Sequence, residues 1–124
     1  MDLIEELAQE REAELVDQML ASWSQGSGAA VGLSDTLVAL QEHRVSILII
    51  AAGLRASGYR CQACRYLMLT ERDECPLCGG PVEHVEDLVE TMTHRALEQG
   101  IEVEIVRGNQ RLDESGSVGA LLRY

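Results

Sequence analysis

The chain has 124 residues, 46% of them apolar but with no Phe, one Trp and three Tyr, and its formal net charge is −11. That length suits one domain and is too short for two independent cores, and the core has to come from Leu, Ile, Val, Ala and Met, which interdigitate well between helices and a sheet. The charge argues against direct nucleic-acid binding, because affinity for phosphates comes mostly from Lys and Arg, and here ten arginines and no lysine face 21 carboxylates.

The first predicted element is an amphipathic helix over residues 2–24. Asp2 and Glu5 have the spacing of a capping box, and acids crowd the first turns, where the helix dipole favours them. Ile4, Leu7, Ala8, Leu15, Met19, Leu20 and Trp23 recur at three- and four-residue spacing as one apolar stripe, with Glu6, Glu10, Glu14 and Asp17 opposite. Such a stripe is docked core, or else a face on which two copies pair. Gly26, Gly28 and Gly32 then mark a flexible turn, with no G-K-[ST] to complete a phosphate loop. Ser34 is placed to cap a second helix running to about His43, with Leu37 and Leu40 inward.

Val45 to Ala51 is β-branched and nearly continuous, as in a strand covered on both faces. The whole apolar run, Val45 to Leu54, is about half the ~20 residues that span a bilayer. The acidic start has neither the basic flank nor the apolar stretch of a signal peptide. The reading is a cytoplasmic protein without a membrane partner, whose cysteines are metal ligands and not disulfide partners. After the cysteine segment come a helix from about Val85 to Gln99, closed by Gly100, and an alternating strand, Ile101 to Val106. Residues 107–117 form a polar loop or short turn, and "VGALLRY" is a last strand. The expected fold is α/β, a three-layer α/β/α sandwich with a mixed sheet and an inserted zinc-binding subdomain.

The four cysteines form two C-x-x-C pairs, Cys61 with Cys64 and Cys75 with Cys78. A tight C-x-x-C turn presents two thiolates to one tetrahedral metal, and Gly79 and Gly80 allow the second turn to close. "YLMLTERDE" between the pairs is long enough for a short hairpin. The spacing points to one structural Zn2+ held by Cys61, Cys64, Cys75 and Cys78, and rubredoxin-type iron uses the same geometry. A redox pair needs one C-x-x-C opening a helix, and a deaminase needs H-x-E and P-C-x-x-C with an open coordination position. Neither pattern is present, and four sulfurs leave a metal no vacancy for catalysis. His84 is read as lying beside the site or on the surface, and His43 and His94 as ordinary helix residues. Removing the metal is expected to melt residues 59–84 and largely spare the sandwich.

"GAAVGLSDTLVALQEHRVSILIIAAGL" resembles the opening of the C-terminal domain of archaeal and eukaryotic class I peptide-chain release factors, a family whose glycine-rich turn leads into G-x-x-D-T-L-x-A-L and then V-x-x-L-L-I. Gly32, Asp35, Thr36, Leu37, Ala39, Leu40, Val45, Leu48 and Ile49 match. The ending "GSVGALLRY" resembles the family's G-G-I-G-A-I-L-R-Y through Gly116, Gly119, Leu121, Leu122, Arg123 and Tyr124, and archaeal members carry paired C-x-x-C turns at the same place. The resemblance implies a sandwich related to kink-turn-binding ribosomal proteins. It also implies a docking role towards a translational GTPase, contact with a recycling ATPase, and work on the ribosome in termination or in rescue of stalled ribosomes.

By the same resemblance Gly119, Leu121, Leu122, Arg123 and Tyr124 would belong to the GTPase-binding surface, although two leucines in a terminal strand are equally candidates for core. Residues 1–25 would be a helix leading in from a preceding domain, and residues 26–124 the family domain, with a zinc-ribbon-like insertion at 59–84. The family's catalytic G-G-Q motif and its codon-reading domain are not in this chain, which implies a non-catalytic fragment or truncated relative. The alternative is an RNA- or ribosome-binding module, in which Arg55, Arg60, Arg65 and Arg72 around the cysteines would form a basic edge.

Overall fold

The computed structural model describes residues 3–123, with side chains from Glu10 onward. Its elements run α1 (Leu3–Ser24), β1 (Ala29–Val31), α2 (Leu33–Gln41), β2 (Val45–Ala51), β3 (Gly58–Cys61), β4 (Leu67–Met68), β5 (Val82–Val85), α3 (Leu88–Glu98), β6 (Glu102–Val106), α4 (Gln110–Glu114) and β7 (Val118–Leu122). The main sheet has the order β1-β7-β2-β6. It is mixed: β7 runs antiparallel to β1 and β2, while β2 and β6 are parallel.

Alternation along β2 builds the layers. Leu48 and Ile50 meet Leu37 and Leu40 of α2 and Leu88, Met92 and Ala96 of α3 on one face. Ile49 and Ala51 meet Leu15, Val16 and Met19 of α1 and Leu112 of α4 on the other. The fold is therefore the expected three-layer sandwich, with buried apolar side chains on both sides of one sheet. A register shift between Val45 and Ile47 sends these two residues to opposite faces although they are two apart, as a bulge does.

Several local expectations change. Val16, fully buried, belongs to the docked stripe of α1, whereas Trp23 stands 53% exposed beyond the sheet. The stripe that was a candidate for pairing two copies is taken up from Leu15 to Met19 by the chain's own sheet. The side chains of Ile4, Glu6, Leu7 and Ala8, and the Asp2–Glu5 capping box, lie outside the described residues. The glycine-rich turn contains β1, because Ala29, Ala30 and Val31 find Leu121, Ala120 and Gly119 as partners on β7. Ser34 is not the cap of α2. Gly32 occupies that position at φ 90°, with no side-chain cap bond.

At the other end of α2, His43 closes the helix in the left-handed region, so it is not a helix residue. The Val85–Gln99 helix starts later than expected, because Val85 is used by β5 and Asp87 caps α3 by accepting from the Glu90 amide at 3.0 Å. The polar stretch after β6 holds α4, capped by Asn109 and anchored by the buried Leu112.

The cysteine segment carries its own three-stranded sheet, β4-β3-β5. The stretch between the cysteine pairs does not fold back on itself as a hairpin: Leu67 and Met68 pair with Arg60 and Tyr59 instead. Leu67 is 1% exposed and belongs to the main core on the α2/α3 face. The Gln41 amide grips the Leu67 backbone from both sides, donating to its carbonyl at 3.0 Å and accepting from its N–H at 2.7 Å.

Candidate metal centre

The two C-x-x-C turns fold as near copies. The Arg65 amide donates to the Cys61 carbonyl at 3.0 Å, and the Gly79 amide to the Cys75 carbonyl at 2.9 Å. Each turn is locked from behind, Cys61 donating to the Tyr66 carbonyl and Cys75 to the Gly80 carbonyl, both at 2.9 Å. Arg65 and Gly79 hold the same position in the two copies and the same positive φ, 68° and 76°. Sequence reasoning assigned the glycine to such a turn and missed the arginine. The signal that finds it is the alignment of the two pairs on each other. Gly80 is required by space: a Cβ there would lie 2.9 Å from the Ala63 Cβ and 3.1 Å from the Cys61 Sγ.

This geometry brings all four sulfurs within 4.8 Å of one another. Cys61 and Cys78 Sγ are 3.4 Å apart and Cys64 and Cys75 Sγ 3.6 Å. These separations are far longer than a disulfide of about 2.05 Å. They approach the roughly 3.8 Å edge of a sulfur tetrahedron around a metal at about 2.3 Å. The Ala63 and Cys64 amides aim at Cys61 Sγ at 3.3 Å, and the Leu77 amide at Cys75 Sγ at 3.4 Å, as suits thiolates.

The Cys64 amide pulls the Cys61 thiol down to about 6 against burial, helped by Cys78 and the Ala63 amide. The Cys64 thiol goes to about 12: the Tyr66 amide lowers it, but burial and the Cys78, Cys61 and Cys75 sulfurs outweigh that. Burial raises Cys75, yet the Leu77 and Cys78 amides take it below its ordinary value. Sulfurs this close repel one another as anions, so the donor set suits a soft divalent cation.

None of the three histidines joins the sulfur group. His84 lies exposed on β5, edge-on to Tyr59 at 5.4 Å, and His94 faces Glu90 on α3 at 3.7 Å. The arginines divide differently from the expected edge. Arg60 and Arg65 share a cavity with Arg95, while Arg72 lines a separate one beside α2.

The terminal strand was the other candidate. β7 lies between β1 and β2, so its residues alternate between the two cores. Gly119 and Leu121 are buried beneath α1, and Leu121 takes the core position that a terminal-strand leucine also allowed. A Cβ on Gly119 would strike the Met19 thioether and come 2.9 Å from the Ala30 carbonyl oxygen. Leu122 is half-buried against the α2/α3 core. Arg123 is exposed, its amide donating to the Arg44 carbonyl at 2.7 Å and its Nε to the Val45 carbonyl at 3.2 Å. Tyr124 lies outside the described residues.

No protein-family model and no curated protein matches the sequence. Solved structures do match. The C-terminal domain of a peptide chain release factor from Methanosarcina mazei superposes with a TM-score of 0.69 at 24% identity, over 98% of this chain and 86% of that one. Pelota from Archaeoglobus fulgidus gives 0.67 at 21% identity, over 98% of this chain and 32% of that one. An archaeal translation termination factor gives 0.55 at 15% identity, over 93% and 26%. The chain thus spans about a third of Pelota, and its sandwich, from α1 to β7, is the fold of the C-terminal domain of an archaeal peptide-chain release factor.

Proposed function

We propose that this chain is the C-terminal, partner-docking domain of a release-factor-like protein that works in translation termination or in rescue of stalled ribosomes. The observation that carries this reading is the fold likeness to a release-factor C-terminal domain over nearly the full length of both chains. In this reading residues 1–25 lead in from a neighbouring domain, residues 26–124 form the docking domain, and residues 59–84 are its insertion. The domain performs no catalysis and works in the cytoplasm. No helix among the described residues is long and apolar enough to cross a membrane.

One structural Zn2+, with iron as the substitute, would be held by Cys61, Cys64, Cys75 and Cys78, whose sulfur separations fit it. The ion would supply positive charge that lets four thiolates coexist and would stiffen both turns. The partners are a translational GTPase and the ribosome, with a recycling ATPase as a further contact. The docking surface falls to Leu122, Arg123 and Tyr124, while Gly119 and Leu121 support that strand from within. An RNA-binding role has less support, since Arg60 is already paired with Glu83 at 2.7 Å and Arg72 stands apart from Arg65.

Pull-down of a translational GTPase by the full chain tests the reading. Arg123→Glu and Tyr124→Ala should each weaken capture about tenfold or more, the scale of a lost interfacial hot spot. Undiminished capture by both variants would move the surface elsewhere.

A further inference from the structure

Arg60, Arg65 and Arg95 converge behind the first cysteine turn. With Thr91, His94 and Glu98 they line a cavity of about 230 Å³, which shares Arg65, Arg95 and Glu98 with an adjoining cavity of about 540 Å³. The guanidiniums of Arg60 and Arg95 are held in place. Arg95 donates from Nη2 to the Arg65 carbonyl at 2.9 Å and from Nη1 to Gln41 Oε1 at 3.3 Å. Arg60 clamps one oxygen of Glu83 through Nε and Nη2 at 2.8 and 2.7 Å. Arg65 and Arg95 have no carboxylate within ion-pair distance among the described residues. Glu98 is the one acid on the rim. Arg60 is answered by Glu83, so the charge left without an ion-pair partner is that of Arg65 and Arg95, in a chain of net charge −11.

The surroundings select the ligand. Between Arg55 and Glu98 there are five arginines against eight carboxylates, so a polyanion would be repelled by the ground around the cleft. One or two carboxylates would not. The larger cavity continues past Tyr66 to Leu77, whose side chain is 69% exposed. A planar guanidinium pair beside exposed apolar surface matches a carboxylate next to an apolar side chain. We propose that the cleft between the first cysteine turn and α3 docks a short peptide segment of a protein partner, with an acidic side chain at Arg65 and Arg95 and an apolar neighbour at Tyr66 and Leu77. The site shares no residue with the β7 surface, so its failure and that of GTPase docking through Arg123 are separate results.

The test uses the full chain, 15N-labelled and supplied with one equivalent of Zn2+. It is titrated with acetyl-Leu-Glu-Glu-Leu-amide, with the Gln counterpart acetyl-Leu-Gln-Gln-Leu-amide, and with a uridine hexanucleotide. The acidic peptide should shift the amide resonances of Arg60, Arg65, Thr91 and Arg95. The Gln peptide should bind at least about tenfold more weakly, the scale of one charge-assisted hydrogen bond. Arg65→Asn, a residue that tolerates the positive φ here, should cost the acidic peptide a similar factor. Its zinc affinity, read by chelator competition, should be unchanged. The proposal is overturned if neither peptide moves these resonances, if both peptides bind alike, or if the hexanucleotide moves them as strongly. It is equally overturned if Arg65→Asn lowers zinc affinity and leaves peptide binding intact, since the arginines would then serve the thiolates.

Discussion

Gly80 shows how little room the sulfur cluster leaves. The missing Cβ is what allows the second turn to sit against Cys61 and Ala63, at distances no added methyl could share. Gly80→Ala should therefore weaken zinc binding about tenfold to a hundredfold, the range typical when a group supporting a ligand is altered. Competition with a colorimetric chelator measures it, and an affinity equal to that of the original chain would mean that the turn relaxes freely. The gathering of Cys61, Cys64, Cys75 and Cys78 at one point was readable from spacing alone, because C-x-x-C geometry is local. Arg65 was not, since a positive φ at a non-glycine residue leaves no compositional trace. Gly119 and Leu121 illustrate a different limit: their motif is visible in sequence, but burial depends on which helix covers the strand.

Among the elements, long periodic ones were readable and short ones were not. α1 and β6 follow from the spacing of their apolar residues, and β2 from an apolar run too continuous for a one-sided strand. β1 and α4 escape because three residues and five residues are too few for a period, and each is stabilised by a distant partner. The sequence leads one to expect that the insertion melts by itself on loss of the metal, whereas Leu67 is a core residue of the sandwich and Gln41 holds its backbone, which argues for coupling between the two. Chelation should consequently lower the melting midpoint of the whole domain, and hydrogen exchange should quicken in β2 as well as in residues 59–84. Leu67→Ala should cost roughly 2–5 kcal/mol in urea unfolding, as large-to-small changes in a core do. Intact protection of β2 in the metal-stripped chain would show that the two units are uncoupled.

The molecule as a whole carries more negative charge than its ion pairs offset. Arg11 answers Glu102 at 2.9 Å and Glu104 at 3.3 Å, and Arg111 answers Asp17, so these pairs fasten α1 to β6 and α4. Ten arginines still leave eleven carboxylates over, and four thiolates around one Zn2+ would add two more negative charges. Self-repulsion of this kind is screened by salt. Raising sodium chloride from about 10 to about 200 mM should raise the urea midpoint, because the Debye length falls from roughly 30 Å to below 10 Å over that interval. A midpoint that fell would show that the exposed ion pairs matter more than the excess charge. Net charge and fold class were the most readable properties of all, since both are sums over the chain that no single misplaced boundary disturbs.

The two ends of the cysteine segment meet: Gly58 pairs with Val85, and the Leu88 amide bonds the Ala56 carbonyl at 2.9 Å. The parallel neighbours β2 and β6 are separated by this detour and α3, so bringing them together requires closing a loop of some fifty residues. A metal ion that ties off the detour first shortens the free chain to be closed. Capture of the ion would then act on the speed of sheet assembly as well as on the stability of the finished domain.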